Sequence, residues 1–333
     1  MRAARARTSV RGVRRLPGFL LPTLFVRRET PLVAMLVCAA LLAACHRTPR
    51  PRPKVITSIF PVYDLTRRIA GEDADVVMLE PVGVSPHGYT PPPGDDPRTT
   101  GMTLAFMVGL GLDAWTDPLM TRLPPKAHVL RLADRVPTLP MQAGWAGRAD
   151  GSHDAAPSAA TAIDPHVWLD PQRALLMGRA ISDELCRADP AHAPGYRARS
   201  LELTHSLEDL DREIEERTRG WKSKVFVTLH DDFGYYAARY HLEVAAAIET
   251  LPGAPPAASD VPRLVARAQE RHAAAVFGEP QLDSKPAESL GRDAHLAYGV
   301  LDPLGGTTGV DSYEALLRAD TLALEKGLSA VAP

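Results

Sequence analysis

The sequence predicts an α/β fold of two lobes with mostly parallel sheets, joined by one long rigid helix. Three observations predict it. Short apolar runs alternate with helical patterns from residue 55 to 132, and again from 224 to 327. Between them, Leu203, Leu207, Leu210 and Ile214 recur at spacings of four, three and four among mostly charged neighbours. At 333 residues and 45% hydrophobic, the chain can build one large core or two of ordinary size.

The elements follow in order. "VITSIF" (55–60) reads as a strand, and "VYDLTRRIAG" (62–71) as a helix closed by glycine. Strands are expected at 76–80, 104–109 and 129–132, with a helix after "GLGLDAW". Residues 138–163 lack sustained periodicity and are rich in Gly, Ala, Ser and Asp, which predicts a surface loop. A helix follows "DPHVWLDP" (164–171) and runs to about Asp189. The linking helix comes next, with Pro194 and Gly195 only near its start. Strands are expected at 224–229, 242–248, 274–279 and 296–301. Helices are expected at 235–240, 260–272, 284–294 and 312–327. The expected division is an N-terminal lobe at 55–190, a linking helix at 191–221 and a C-terminal lobe at 222–333. The two lobes do not match closely enough in sequence to define a repeat.

The start of the chain is different in kind. Residues 1–44 hold eight arginines and one glutamate, a surplus of seven positive charges. The total is −2, so the remainder carries −9. An acidic body argues against nucleic acid as partner. "PLVAMLVCAALLAAC" (31–45) has the length of a signal-peptide core and ends in small residues. "LAAC" has the order of a bacterial lipobox, so 1–44 is expected to be a lipoprotein signal peptide and Cys45 a lipidated first residue. An ordinary cleaved signal and an uncleaved anchor are the alternatives. "RRLPGFL" (14–20) distantly echoes a twin-arginine signal. "HRTPRPRPK" (46–54) completes a proline-rich tether over 45–54. After Cys38 leaves and Cys45 is lipidated, Cys186 alone remains, which rules out an intramolecular disulfide and a cysteine-rich metal site.

The candidate site comes from asking which of the eleven histidines follow a strand, where ligands gather in open α/β sheets. His87 sits in "PVGVSPHGYTPPP" (81–93), a loop stiffened by five prolines. His166 lies in "DPHVWLDP", beside Trp168, and His230 directly follows "KVFVTL". Asp302 directly follows "LAYGVL". Three imidazoles and one carboxylate, two from each lobe, would hold a cation in the cleft between the lobes. His241 and His295 fall near turns and read as capping or solvated residues. "GLGLDA" (109–114) satisfies a dinucleotide pattern, but it lies well inside the first lobe and reads better as a plain strand-to-helix turn.

Six ordered blocks carry a resemblance: "VITSIFPVYDL", "PHGYTPPPGD", "DPHVWLDP", "VTLHDDFGYYAARY", "EPQLDSKPAESLGRDA" and "VLDPLGG". Together they resemble the zinc/manganese solute-binding receptors of bacterial ABC importers, over nearly all of 55–333. The resemblance implies two α/β lobes on a rigid helix, and metal ligands at His87, His166, His230 and Asp302. It implies delivery to an ABC-type permease and an exported, lipid-anchored monomer on the periplasmic or extracellular face of an envelope membrane.

Three nitrogens and one carboxylate favour Zn²⁺; Mn²⁺, iron or a broader range is the alternative. Manganese receptors of the family tend to carry a carboxylate where this chain has His230. The 138–163 loop has only His153, with Asp150 and Asp154, so it makes a poor auxiliary metal collector. Asp164, Asp231, Asp232 and Glu279 are candidates to fix the imidazole tautomers, with Glu279 the alternative fourth ligand. Tyr89 and Trp168 are candidate walls. A surface adhesin role would be additional to metal binding. A zinc hydrolase is disfavoured: four protein ligands leave no open position for water, and neither HExxH nor GxSxG occurs.

Overall fold

The computed structural model describes residues 52–92, 97–121, 124, 127–141, 162–249 and 252–329. The chain divides into two compact units, Met1–Pro51 and Arg52–Pro333, and the described residues belong to the second. Residues 1–44, Cys45, most of the tether, and His153 with its neighbours in the 142–161 segment lie outside them.

The first sheet holds β1 (Lys54–Thr57), β2 (Asp75–Met78), β3 (Leu104–Met107) and β4 (His128–Arg131) in the order β2-β1-β3-β4. The second holds β5 (Val225–His230), β6 (Glu243–Glu249), β7 (Ala275–Gly278) and β8 (Ala297–Val300) in the order β6-β5-β7-β8. Every pairing is parallel. The lobes therefore share one topology, although their sequences do not align well enough to reveal it. All eight strands expected from the apolar runs are present, shifted by up to three residues at their ends, and Phe60, expected in the first strand, opens a helix instead. In each sheet the first strand lies between the second and third. The crevice at that reversal, outside the carboxyl ends, is where open α/β sheets take ligands.

The helices are α1 (Phe60–Ala70), α2 (Asp117–Met120), α3 (Pro171–Ala188), α4 (Ala193–Arg219), α5 (Gly234–Tyr240), α6 (Val261–Glu270), α7 (Lys285–Ala294) and α8 (Tyr313–Ser329). Two short features bear out local readings. Asp113 accepts from Val108 N at 2.6 Å and Gly109 N at 3.0 Å, so "GLGLDA" is a tight turn around a carboxylate. His241 and His295 cap α5 and α7 in the left-handed conformation, at φ 56° and 58°. The thiol of half-buried Cys186 donates to Ala193 O.

The linking helix, α4, has 27 residues and so spans about 40 Å. Leu203, Leu207, Leu210 and Ile214 are all buried, as their spacing requires. They belong to one continuous core that runs from Val55 on β1 to Leu328 on α8. The lobes are thus not independent balls on a tether. Two buried carboxylates reinforce the join. Asp211 on α4 accepts from Gln172 on α3 at 2.7 Å, and from Arg239 and Tyr240 on α5 at 2.6–3.0 Å. Glu314 on α8 accepts from Arg68 on α1 at 2.6 and 2.7 Å, and from Ser206 on α4 at 2.5 Å.

Burial raises the Glu314 pKa, but Arg68 and Ser206 outweigh it and leave the group below its ordinary value. A depressed carboxylate contributes stability above its unfolded pKa and loses it as pH falls through the folded one. Glu314→Gln is expected to cost about 1–3 kcal/mol at pH 7, the range for hydrogen bonds to charged groups and for buried groups left unsatisfied. The difference from wild type should shrink as pH falls below about 4. Urea unfolding at both pH values checks this.

Candidate metal centre

The first lobe supplies two rings. His87 follows β2 in the proline-rich loop, where Pro86 is buried and Gly88 N closes a turn onto Ser85 O. The residue keeps an exposed side, but its ring turns inward. His166 precedes the single 3-10 turn Val167–Leu169 and is buried. The second lobe supplies His230, the last residue of β5, also buried.

These rings, far apart in sequence, meet. His87 Nε2 lies 3.1 Å from His166 Nε2, and His230 Nε2 lies 3.3 Å from the same atom. Within the trio, one nitrogen from each ring lies within 4.8 Å of the others. Nitrogens bound to one tetrahedral zinc at about 2.0–2.1 Å would stand about 3.3–3.4 Å apart. The spacing is therefore that of a tetrahedral cradle.

The two lobes orient their buried rings with the same device. Asp164 Oδ1 accepts both the backbone N–H of His166 at 2.9 Å and its ring Nδ1 at 2.8 Å. Glu279 Oε1 does the same for His230, at 3.2 Å and 2.6 Å. A carboxylate accepts, so Nδ1 carries the hydrogen and Nε2 faces the cavity, presenting a lone pair whenever the ring is neutral. Two such lone pairs at 3.3 Å repel unless a positive charge lies between them. Tyr235 holds Asp164 in turn, its hydroxyl donating to Asp164 O at 2.8 Å and accepting from Leu139 N at 2.9 Å.

The electrostatics follow the burial. Desolvation, then the other imidazoles, lower the pKa of His87 and of His166. Burial also pulls His230 down, but Asp232, Glu279 and Asp231 prevail and push it up to about 9. Burial raises Asp164 to about 7 against the hydrogen bond from His166 N. Burial and the Glu279 charge hold Asp232 well above the carboxylate range. The second lobe thus surrounds one imidazole with buried acid, and Asp232 Oδ2 lies 3.8 Å from its Nδ1.

The other expected residues fall as follows. Glu279 sits behind His230, on the ring nitrogen away from the trio. Asp231 is buried beside it. Asp302 is not brought into the trio. Its Oδ1 is occupied by Gln281 Nε2 at 2.7 Å and by the Leu304 and Gly305 N–H groups at 3.0 Å each. The physical reason is local: after β8 the chain turns back around that oxygen. Trp168 does line the cavity, with Ser85, Pro86, Gln281 and Leu304. Tyr89 does not line it and instead packs edge-on against Trp115, centroids 4.7 Å apart. Gln281 was missed by sequence reasoning. The one available signal was its place two residues after Glu279, at the end of a strand.

Two parallel α/β lobes bridged by a helix, with three ring nitrogens converging between them, define a bilobed binding protein. The chain belongs to the ZnuA family, described as the periplasmic component A of a zinc-uptake complex, whose model matches residues 55–327. It is 28% identical over 264 residues to the zinc-binding protein AdcA of Streptococcus pyogenes, covering 77% of this chain and 51% of that one. The chain thus spans about half the length of AdcA. It is 25% identical over 288 residues to the high-affinity zinc uptake system protein ZnuA of Bacillus subtilis, covering 84% of this chain and 90% of that one. The fold matches the periplasmic zinc-binding protein TroA of Treponema pallidum with TM-score 0.70 at 22% identity, over 84% of this chain and all of that one.

Trp168 ties the wall of the cavity across the lobes. Its Nε1 donates to Pro303 O at 2.7 Å, and its carbonyl accepts from the Tyr313 hydroxyl. Trp168→Phe leaves Pro303 O buried without that donor and is expected to cost about 1–3 kcal/mol. A lower urea midpoint at unchanged slope would show it.

Proposed function

We propose that this protein captures a divalent cation outside the cytoplasmic membrane, zinc in the first place, and hands it to an ABC-type permease. The metal is cargo and the chain is its receptor, without an enzymatic step. The convergence of three Nε2 atoms at 3.1 and 3.3 Å carries the reading. His87, His166 and His230 are the proposed ligands. Asp164 and Glu279 fix the two buried rings so that a lone pair faces the ion, and a positive charge there favours both ionised carboxylates. Imidazole-rich sets suit zinc, whereas oxygen-rich ones suit manganese. Membership of the zinc-uptake family supports the same choice.

The parts serve this role as follows. The lobes at 55–190 and 222–333 each contribute to the cradle, and the helix at 191–221 limits how far they can separate. Among the described residues no helix is long and apolar enough to cross a membrane. Attachment is proposed through lipid on Cys45, supported by the "LAAC" sequence.

Zinc titration calorimetry tests the proposal. Wild type should bind one equivalent. His87→Ala, His166→Ala and His230→Ala should each lose more than the tenfold to hundredfold typical of an outer-shell group, while Glu279→Gln and Asp164→Asn should lose about that much. Wild-type affinity in His230→Ala, or no zinc binding by wild type, would sink the idea.

A further inference from the structure

Three histidines leave one corner of a tetrahedron open, and the wall of their cavity also includes Glu279, held by His230 Nδ1, and an unexpected amide. Gln281 lies in the connection after β7 and lines the same cavity as the three rings. Its Nε2 donates to Asp302 Oδ1 at 2.7 Å. That oxygen also accepts from Leu304 N and Gly305 N. A carboxylate oxygen offers no hydrogen, so the amide must present its NH₂ there. The chemistry thereby fixes which end of the carboxamide is oxygen, a choice that heavy-atom positions alone leave open. The remaining atom, Oε1, is buried and has no hydrogen-bond partner among the described residues. An orphaned buried acceptor in a native site calls for an explanation, and a bound ion is one of the few.

We propose that the fourth group facing the captured cation is the Gln281 carboxamide oxygen, and that Asp302 is a positioning residue that turns the amide toward the site. This rests on the three-histidine metal reading above. It changes the character of the cradle. Three neutral imidazoles and a neutral amide place no formal charge on the donors themselves. The negative charge is held one shell out, on Asp164 and Glu279. Such a set favours borderline ions that accept nitrogen readily and disfavours manganese, which prefers several oxygens. Asp302 acts through its acceptor geometry, so an asparagine oxygen can replace it.

The test uses Co²⁺ as a spectroscopic probe, with Zn²⁺ competition for affinity. Gln281→Leu should shift the cobalt d–d bands and weaken both ions by more than the tenfold to hundredfold typical of an outer-shell group. Asp302→Ala should weaken binding by about tenfold, and Asp302→Asn should restore it. Circular dichroism reports whether Gln281→Leu folds. If it does not, Gln281→Asn, with the amide on a shorter arm, should shift the bands in the same direction. Wild-type bands and affinity in the Gln281 variants would overturn the proposal. So would Asp302→Asn as impaired as Asp302→Ala, because that result marks a direct carboxylate ligand. A wild-type protein that binds neither ion would remove the receptor reading itself, a distinct outcome.

Discussion

Imidazole nitrogens from both lobes must meet at one point, His87 and His230 each within 3.3 Å of His166 Nε2. Most of the structure answers that constraint. Aligned lone pairs repel one another, so nothing in the trio holds itself together without a positive charge. The geometry has to be imposed from outside. Asp164 and Glu279 impose it locally, each gripping the backbone and the ring of its histidine through one oxygen. Among the described residues no carboxylate grips His87 in this way, and it relies on its stiff loop. Preorganisation of this kind reduces the ordering cost of capture.

Local grip is useless if the lobes drift. The shared core and the carboxylates Asp211 and Glu314 address that at longer range. Each accepts hydrogen bonds from groups on more than one helix, so separating the lobes would leave a buried charge without partners. That loss is steep because a broken buried pair costs more than the pair contributes when intact. Release of a cation from such a frame has to come from modest shifts at the cavity rim. The Pro303–Gly306 turn is one wall of that rim. A side chain on Gly306, which sits at φ 83°, would come within 2.9 Å of the Phe60 ring. Only glycine allows the second lobe's loop so close to the first lobe's helix.

The acids behind His230 give the second lobe a different character from the first. Asp232 is fully buried, and neither of its oxygens has a hydrogen-bond partner. Asp231 and Glu279 stand close by. The first lobe sets a single carboxylate behind His166. The site is therefore asymmetric in its acids although nearly symmetric in construction, with more carboxyl groups buried on the side of His230.

Sequence alone determined the eight strands and the long helix, and it singled out His87, His166 and His230, whose rings the fold brings together. Each of those is a local property. Apolar periodicity reflects which face of an element is buried, and His230, at the end of a strand, lies at a carboxyl end by chain geometry alone. Packing decided the rest. Whether residues 64 or 79 positions apart come within hydrogen-bond reach depends on how two sheets are set against one helix. The same holds for which carboxylate serves which ring, for Tyr89 leaving the cavity to pack on Trp115, and for Asp302 folding back onto its own loop. Gln281 shows the limit most clearly. A lone glutamine carries no signal in a sequence, because its chemistry depends on what stands at each end of its amide, and only the folded chain brings Asp302 to one end and the cavity to the other.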